Sequence, residues 1–414
     1  MKNLSLLLMA LICYPQLAYT QWFEQTTGIT IELLSVSAVD DYNVWACGVG
    51  GTVIKTTNGG DTWIDVSGSP IPDTLTLNSI SGRTESTAIV TGADNRSAYV
   101  YITYDGGSTW SQTFAVMGGY IYGTVFTAGN NFGLHCNPIG GFWKIYWSSN
   151  NGSKWQLLST YPQEGSETGW NNALCVVYPD GWSGTNSGRL YYSPTGEEWS
   201  PQPTTRLINS KAVWFKNKDV GMAGGNVIDF TTDGGSSWTF ISVPGTGDIL
   251  GIAADGDKWW YVRGSSVYHS TDNGGSWSMI YTAPSGIFNH LVKATNGSHL
   301  WAVRSNGGIS STHTPVGIED ERKDAIPEIF SLAQNYPNPF NPSTTFSYTI
   351  PNASKVIIKI YDVLGNEIET LVNDDKEAGN YEVKWNAVDL PSGVYFYQLS
   401  TGSFIETKNM LLLK

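Results

Sequence analysis

The stretch TTNGGDTW at residues 56–63 returns as TYDGGSTW (103–110), SSNNGSKW (148–155), TTDGGSSW (231–238) and STDNGGSW (270–277), with a degenerate copy, YSPTGEEW, at 192–199. Each copy ends on tryptophan. Trp63, Trp110, Trp155, Trp199, Trp238 and Trp277 are spaced 47, 45, 44, 39 and 39 residues apart. A repeat of about 40–50 residues is the length of one four-stranded propeller blade. The phrase itself specifies a tight turn. Its Asn or Asp bonds the backbone two residues on, and a following Gly takes a positive φ at little cost. Asn58, Asp105, Asn150, Asp233 and Asp272 are therefore read as structural turn residues.

The flanks supply the other strands. Apolar runs such as LLSVSAV (33–39) and LGIAAD (250–255) come first. Strands of small and aromatic residues follow, VWACG (44–48) and WWYVRG (259–264), and third strands such as TVIKTT (52–57) lead into the phrase. After Trp277 the pattern runs once more through FNHLVKATNG, LWAVRS and GISSTH, but no seventh phrase and no fourth strand follow. QWFEQTT (21–27) is an orphan fourth strand. The expectation is an all-β fold: a seven-bladed β-propeller of four-stranded blades whose N-terminal strand closes the last blade. Closure removes the open edges a sheet would otherwise expose.

The phrases resemble the Asp-box of sialidases and related propellers, and the longer unit VWACGVGGTVIKTTNGGDTW resembles the propellers of photosystem II assembly factors. The first resemblance implies a glycoside hydrolase as one alternative, of sialidase or xyloglucanase type. The sialidase plan needs three arginines around a carboxylate, yet only Arg96, Arg263 and Arg304 fall near expected strand 2–3 turns, and the Phe-Arg-Ile-Pro motif is absent. The xyloglucanase plan normally takes two propellers. The second resemblance implies a non-catalytic docking surface.

The repeat stops near residue 315, and the charged stretch IEDERKDAIPE (318–328) reads as a linker. Beyond it Phe346, Tyr348 and Ile350 alternate, as do Val356, Ile358 and Ile360, and Tyr381, Val383 and Trp385. That pattern specifies a small antiparallel β-sandwich. NYPNPFNPSTT (335–345), IYDVLGNEIETLV (360–372), PSGVYFYQL (391–399) and the terminal TKNMLLLK (407–414) resemble the type A C-terminal sorting domain of the type IX secretion system. The resemblance implies passage through the periplasm to the cell surface or the medium, with the secretion machinery as a partner. Lys2, the apolar run 6–13, Pro15 and Ala18-Tyr19-Thr20 have the parts of a cleaved secretory signal. The expected organisation is a signal peptide at 1–20, the propeller at 21–315, a linker at 316–327 and the sorting sandwich at 328–414.

The net charge of −13 argues against nucleic acid and anionic membrane as partners. No segment beyond the signal is long enough for a transmembrane helix. Cys47, Cys136 and Cys175 show no metal spacing, and the five histidines show none either, so neither a metal nor a cofactor is expected. A single bridge, Cys136 to Cys175, can be drawn in an oxidising compartment. The function expected is an exported binding scaffold for a protein or polysaccharide. Its binding residues are placed at the mouth opposite the turn phrases: Arg96, Arg263 and Arg304, with Trp170 as an apolar anchor beside Glu164 and Glu167.

Overall fold

The computed structural model describes residues 21–126, 132–314, 330–335, 337–402 and 404–413. The expected signal peptide (1–20) and linker (316–327) lie outside the described residues. The chain divides into two compact units, the first ending at residue 315 and the second beginning at 316.

In the first unit the repeat becomes seven four-stranded antiparallel sheets. Blade 1 is typical, with strands Leu33–Ala38, Val44–Gly48, Val53–Thr56 and Ile64–Asp65 in order from the axis outward. Its second strand is buried along its whole length, because both faces are covered by neighbouring blades. Only small or flat side chains fit there, which explains the Val-Trp-Ala-Cys-Gly composition. Trp45, Trp182, Trp259 and Trp301 occupy this strand in four blades and are fully buried. The core is thus a set of layers between blades.

Blade 7 is assembled from both ends of the unit. Phe288–Lys293, Leu300–Arg304 and Ile309–Ser311 supply three strands, and Phe23–Gln25 supplies the fourth. Phe23 pairs with Ser311, Glu24 with Ser310 and Gln25 with Ile309. The expected N-terminal closure is the one observed.

The turn phrases form hairpins between third and fourth strands. The Thr56 hydroxyl accepts the Gly60 N–H at 2.9 Å and donates to Asn58 Oδ1 at 2.8 Å, and Oδ1 also accepts the Thr62 N–H at 3.1 Å. The same bonds recur at Asp105, Asn150, Asp233 and Asp272. Where Asn replaces the first Gly, at Asn151 and Asn273, φ stays positive at 59°, a region Asn enters more readily than most residues. Two of the closing tryptophans reach back to the preceding blade, Trp110 Nε1 to the Val66 carbonyl at 2.8 Å and Trp155 Nε1 to Thr113 Oγ1 at 3.1 Å. Cys47, Cys136 and Cys175 are free thiols, so the Cys136–Cys175 bridge is not formed. Cys175 Sγ instead accepts the Phe215 N–H at 3.2 Å.

The second unit has a three-stranded sheet of Ser331–Leu332, Ser343–Ile350 and Gly379–Asn386. Its four-stranded sheet runs Glu367–Lys376, Ser354–Tyr361, Gly393–Ser400, Ile405–Leu412. Strict alternation along 343–350 sends Phe346, Tyr348 and Ile350 into one core with Val356, Ile358, Ile360, Trp385 and Tyr397. Among the described residues no helix is long and apolar enough to cross a membrane.

Candidate functional site: the axial cavity

The innermost strands of all seven blades line a cavity of about 170 Å³ on the propeller axis. Each innermost strand starts at the mouth opposite the turn hairpins and ends on the hairpin side. The lining draws on the middle and later parts of these strands, including Ser37, Ser79, Thr124, His290 and Lys293. The cavity is therefore deeper than the expected mouth.

Blade 4 shapes its upper limit. In blade 1 the pairing steps from Leu33↔Gly48 to Ser35↔Cys47, one residue more on the inner strand. In blade 4 it steps from Gly169↔Thr185 to Leu174↔Ser183, three residues more. The excess carries Asn171 and Asn172 inward. Asn172 Nδ2 donates to the Leu34 carbonyl at 3.0 Å, and its Oδ1 accepts the Ser35 hydroxyl at 2.8 Å. Asn171 Nδ2 reaches Asn78 Oδ1 at 3.5 Å, where the Tyr120 hydroxyl also donates at 2.7 Å. An amide bridge thus joins blade 4 to blades 1 and 2 on the mouth side of the cavity. Asn172 holds a φ of 62° to make it.

Below the bridge, His290 Nδ1 accepts the Val36 N–H at 3.2 Å. Burial pushes its pKa down to about 3, so the ring is neutral and its proton sits on Nε2. The Thr124 hydroxyl is shielded and has no partner among the described residues. Lys293 Nζ donates to the Gly297 carbonyl at 2.7 Å, with Asp255 at 3.9 Å. The cavity offers hydroxyls, amides, one imidazole N–H and one ammonium. This is a set for hydrogen-bonding a polar ligand. No group of three or more metal-ligating side chains is placed to hold a metal among the described residues.

The structure does not gather the four residues placed at the mouth from sequence. Arg263 is 8% exposed and gives its guanidinium to three carbonyls, Gly247 at 2.7 Å, Asn226 at 2.6 Å and Pro244 at 3.2 Å. Arg304 is 2% exposed, donates to the Ser285 carbonyl at 3.0 Å and forms an ion pair with Glu24. Both guanidiniums are engaged within the fold rather than offered at the mouth, contrary to the expectation that they bind a ligand. Connecting loops leave carbonyls without strand partners, and buried carbonyls need donors. Arg96 is exposed, on a turn where its N–H donates to Asp94 at 2.7 Å. Trp170 is half-buried, with Lys211 Nζ 3.9 Å from its ring centroid. Glu167 is buried too, accepting from Ser187 at 2.6 Å, Arg189 Nε at 2.9 Å and the Tyr191 hydroxyl. Nothing in the sequence pairs the closure residue Glu24 with Arg304, and only the fold brings them together.

A propeller with a separate β-sandwich is the class that these units define. Residues 334–413 match the family model described as a secretion system C-terminal sorting domain. The chain is therefore exported through the type IX secretion system, to the cell surface or the medium. Comparison with curated proteins gives no match. Among solved structures, one titled "YCF48 bound to D1 peptide" is similar at 19% identity with a TM-score of 0.60, covering 72% of this chain and 98% of its own. YCF48 from Cyanidioschyzon merolae is similar at 17% identity and a TM-score of 0.59, covering 70% and 98%. The WD40 propeller domain of Doa1 is similar at 14% identity and 0.54, covering 71% and 97%. At these identities the likeness shows the propeller fold alone.

Proposed function

We propose that the chain is an exported, non-catalytic binding scaffold whose propeller docks a protein or polysaccharide outside the cell. Its parts are a signal peptide at 1–20, the propeller at 21–315, a linker at 316–327 and the sorting unit at 328–414. The observation that carries this reading is the axial cavity, to which every blade contributes and which is lined by hydrogen-bonding groups. Convergent hydrogen-bonding groups in a concave site at the centre of the ring support a binding role. The similar propeller of YCF48 bound to D1 peptide makes a polypeptide ligand the natural first choice.

Two measurements test it. Deleting 328–414 should leave the protein in the periplasm of its host, and continued surface display would overturn the export role. The full mature chain should bind members of a panel of surface proteins and soluble polysaccharides without turning over chromogenic glycosides. Ser79→Trp, which fills the cavity, should weaken that binding at least about tenfold (~1.4 kcal/mol). Turnover that disappears with a single Asp or Glu would replace this reading with a hydrolase.

A further inference from the structure

A second cavity of about 250 Å³ lies between blades 3 and 4, with Leu174 as a wall shared with the axial one. Its origin is the degenerate turn phrase. From Ser193 to Trp199 is six positions, whereas Thr56 to Trp63 is seven, and Pro194-Thr195 stands where other copies carry Asn or Asp. In other blades the turn glycine is pressed on the preceding blade. A Cβ on Gly107 would lie 2.6 Å from Val66, and one on Gly274 would lie 2.5 Å from Met222. On Gly196 it would meet nothing within 4 Å. The shortened turn still touches blade 3, where the Glu197 carbonyl accepts the Ser159 hydroxyl, but Gly196 no longer presses on it and a gap is left beside the contact.

The walls of the gap are aromatic and firm. Trp147 and Leu158 face it from blade 3, and Val176, Tyr178 and Trp199 from blade 4. Trp199 is tied by Nε1 to the Gly196 carbonyl at 2.9 Å and stacks on Tyr161 at 5.8 Å and 15°. Behind it His135 is held from both sides, by Ser183 at 3.0 Å and Tyr161 at 2.6 Å. Tyr178 is 70% exposed at the rim, and Glu197 is the acid in the lining. A volume below the about 300–1,000 Å³ of drug-sized pockets suits one side chain rather than a chain of sugars. Aromatic faces, a rim carboxylate and a net charge of −13 all favour a positive charge beside that side chain.

We propose that this pocket takes, from a partner polypeptide, an aromatic side chain flanked by a positive charge. The site lies on the turn-hairpin face, and the proposal stands whatever the axial cavity binds. The test is calorimetric titration of the full mature chain with three blocked tripeptides, acetyl-Lys-Trp-Lys-amide, acetyl-Lys-Ala-Lys-amide and acetyl-Glu-Trp-Glu-amide, and with cellohexaose. The Lys-Trp-Lys peptide should bind about tenfold or more tighter than either other peptide. Thr195→Trp, an exposed rim change that covers the gap, should reduce its binding to the Lys-Ala-Lys level. Glu197→Gln, which leaves the walls untouched, should shrink the preference over Glu-Trp-Glu. Equal binding of Lys-Ala-Lys would show charge alone and overturn the proposal. Unchanged affinity in Thr195→Trp would overturn it too, as would cellohexaose competing for the same pocket.

Discussion

Blades 4 and 7 both break the repeat, with opposite results. Blade 7 lacks the turn phrase and its own fourth strand, and the N-terminus repairs the loss with a paired strand. Blade 4 keeps four strands of its own but shortens the turn and lengthens its inner strand. The first departure seals the ring, while the second opens a gap at its rim and inserts amides into its centre. In a repeat protein each unit contacts only its neighbours. An irregular unit therefore acts locally, as a lock where it completes a sheet and as a site where it fails to fill one.

Removing the lock should have the largest effect. Glu24 accepts from Ser310 at 2.7 Å and from Tyr281, and pairs with Arg304. Glu24→Ala leaves Arg304 buried without its counter-charge, a change costing about 3–5 kcal/mol when both partners are deeply buried. The Glu24 side chain is 39% exposed, which places the loss at about 3 kcal/mol or less. Urea unfolding of the propeller transition measures it, and hydrogen exchange should quicken first along 309–311. A loss no larger than that of the blade 4 variant below would mean that the ring does not depend on this lock.

The irregularity of blade 4 should matter less to stability. Asn172→Ala removes two bonds across the cavity and leaves Ala at a φ of 62°. At about 0.5–1.5 kcal/mol for each bond, a loss of about 1–3 kcal/mol is expected. Asn172→Gly should recover part of it, because Gly adopts positive φ freely. Faster exchange should be confined to the amides near Leu34 and Asn78. Exchange spreading around the ring would show that the bridge supports the whole propeller.

These two blades also show what a sequence can reveal. Ring closure was legible because repeat phase is written along the chain: an unfinished last unit and an orphan QWFEQTT admit one simple joining. The sandwich was legible from period-two alternation. The arginines were placed at the right end of their strands, but their direction was not legible. Whether a guanidinium points outward depends on loop carbonyls such as Gly247 and Asn226, which carry no side-chain signature. For blade 4 a signal existed in GWNNALCVV, longer than LLSVSAV, and in the phrase one residue short. Its consequence depended on the surface of blade 3, which the repeat does not encode.

The regular blades offer the smallest and most discriminating test, since some use Asp and some Asn for the same turn. Asp272 Oδ1 accepts the Ser276 N–H and the Ser270 hydroxyl, both at 2.8 Å, and Oδ2 accepts the Ser276 hydroxyl at 2.7 Å. The side-chain and backbone bonds from Ser276 lead the causes that hold its pKa at about 2. The unfolded carboxyl titrates near 3.9. The folded value is the lower one, so the contribution is complete above about pH 4 and is lost as pH falls toward 2. Asn58 meets the same demands without charge: Oδ1 accepts from Thr62 N–H and Thr56, and Nδ2 donates to Thr62 Oγ1 at 2.9 Å. Asp272→Asn should therefore leave the melting temperature at pH 7 nearly unchanged while flattening its decline between pH 4 and 2. Asp105→Asn, whose carboxyl is held at about 2 by bonds from Thr109, should do the same, and the two effects should add because the turns lie in separate blades. Asp272→Ala should lower the melting temperature at every pH above 4. If Asp272→Asn falls with it at pH 7, the turn requires the charge, and Asn58 and Asp272 are not interchangeable.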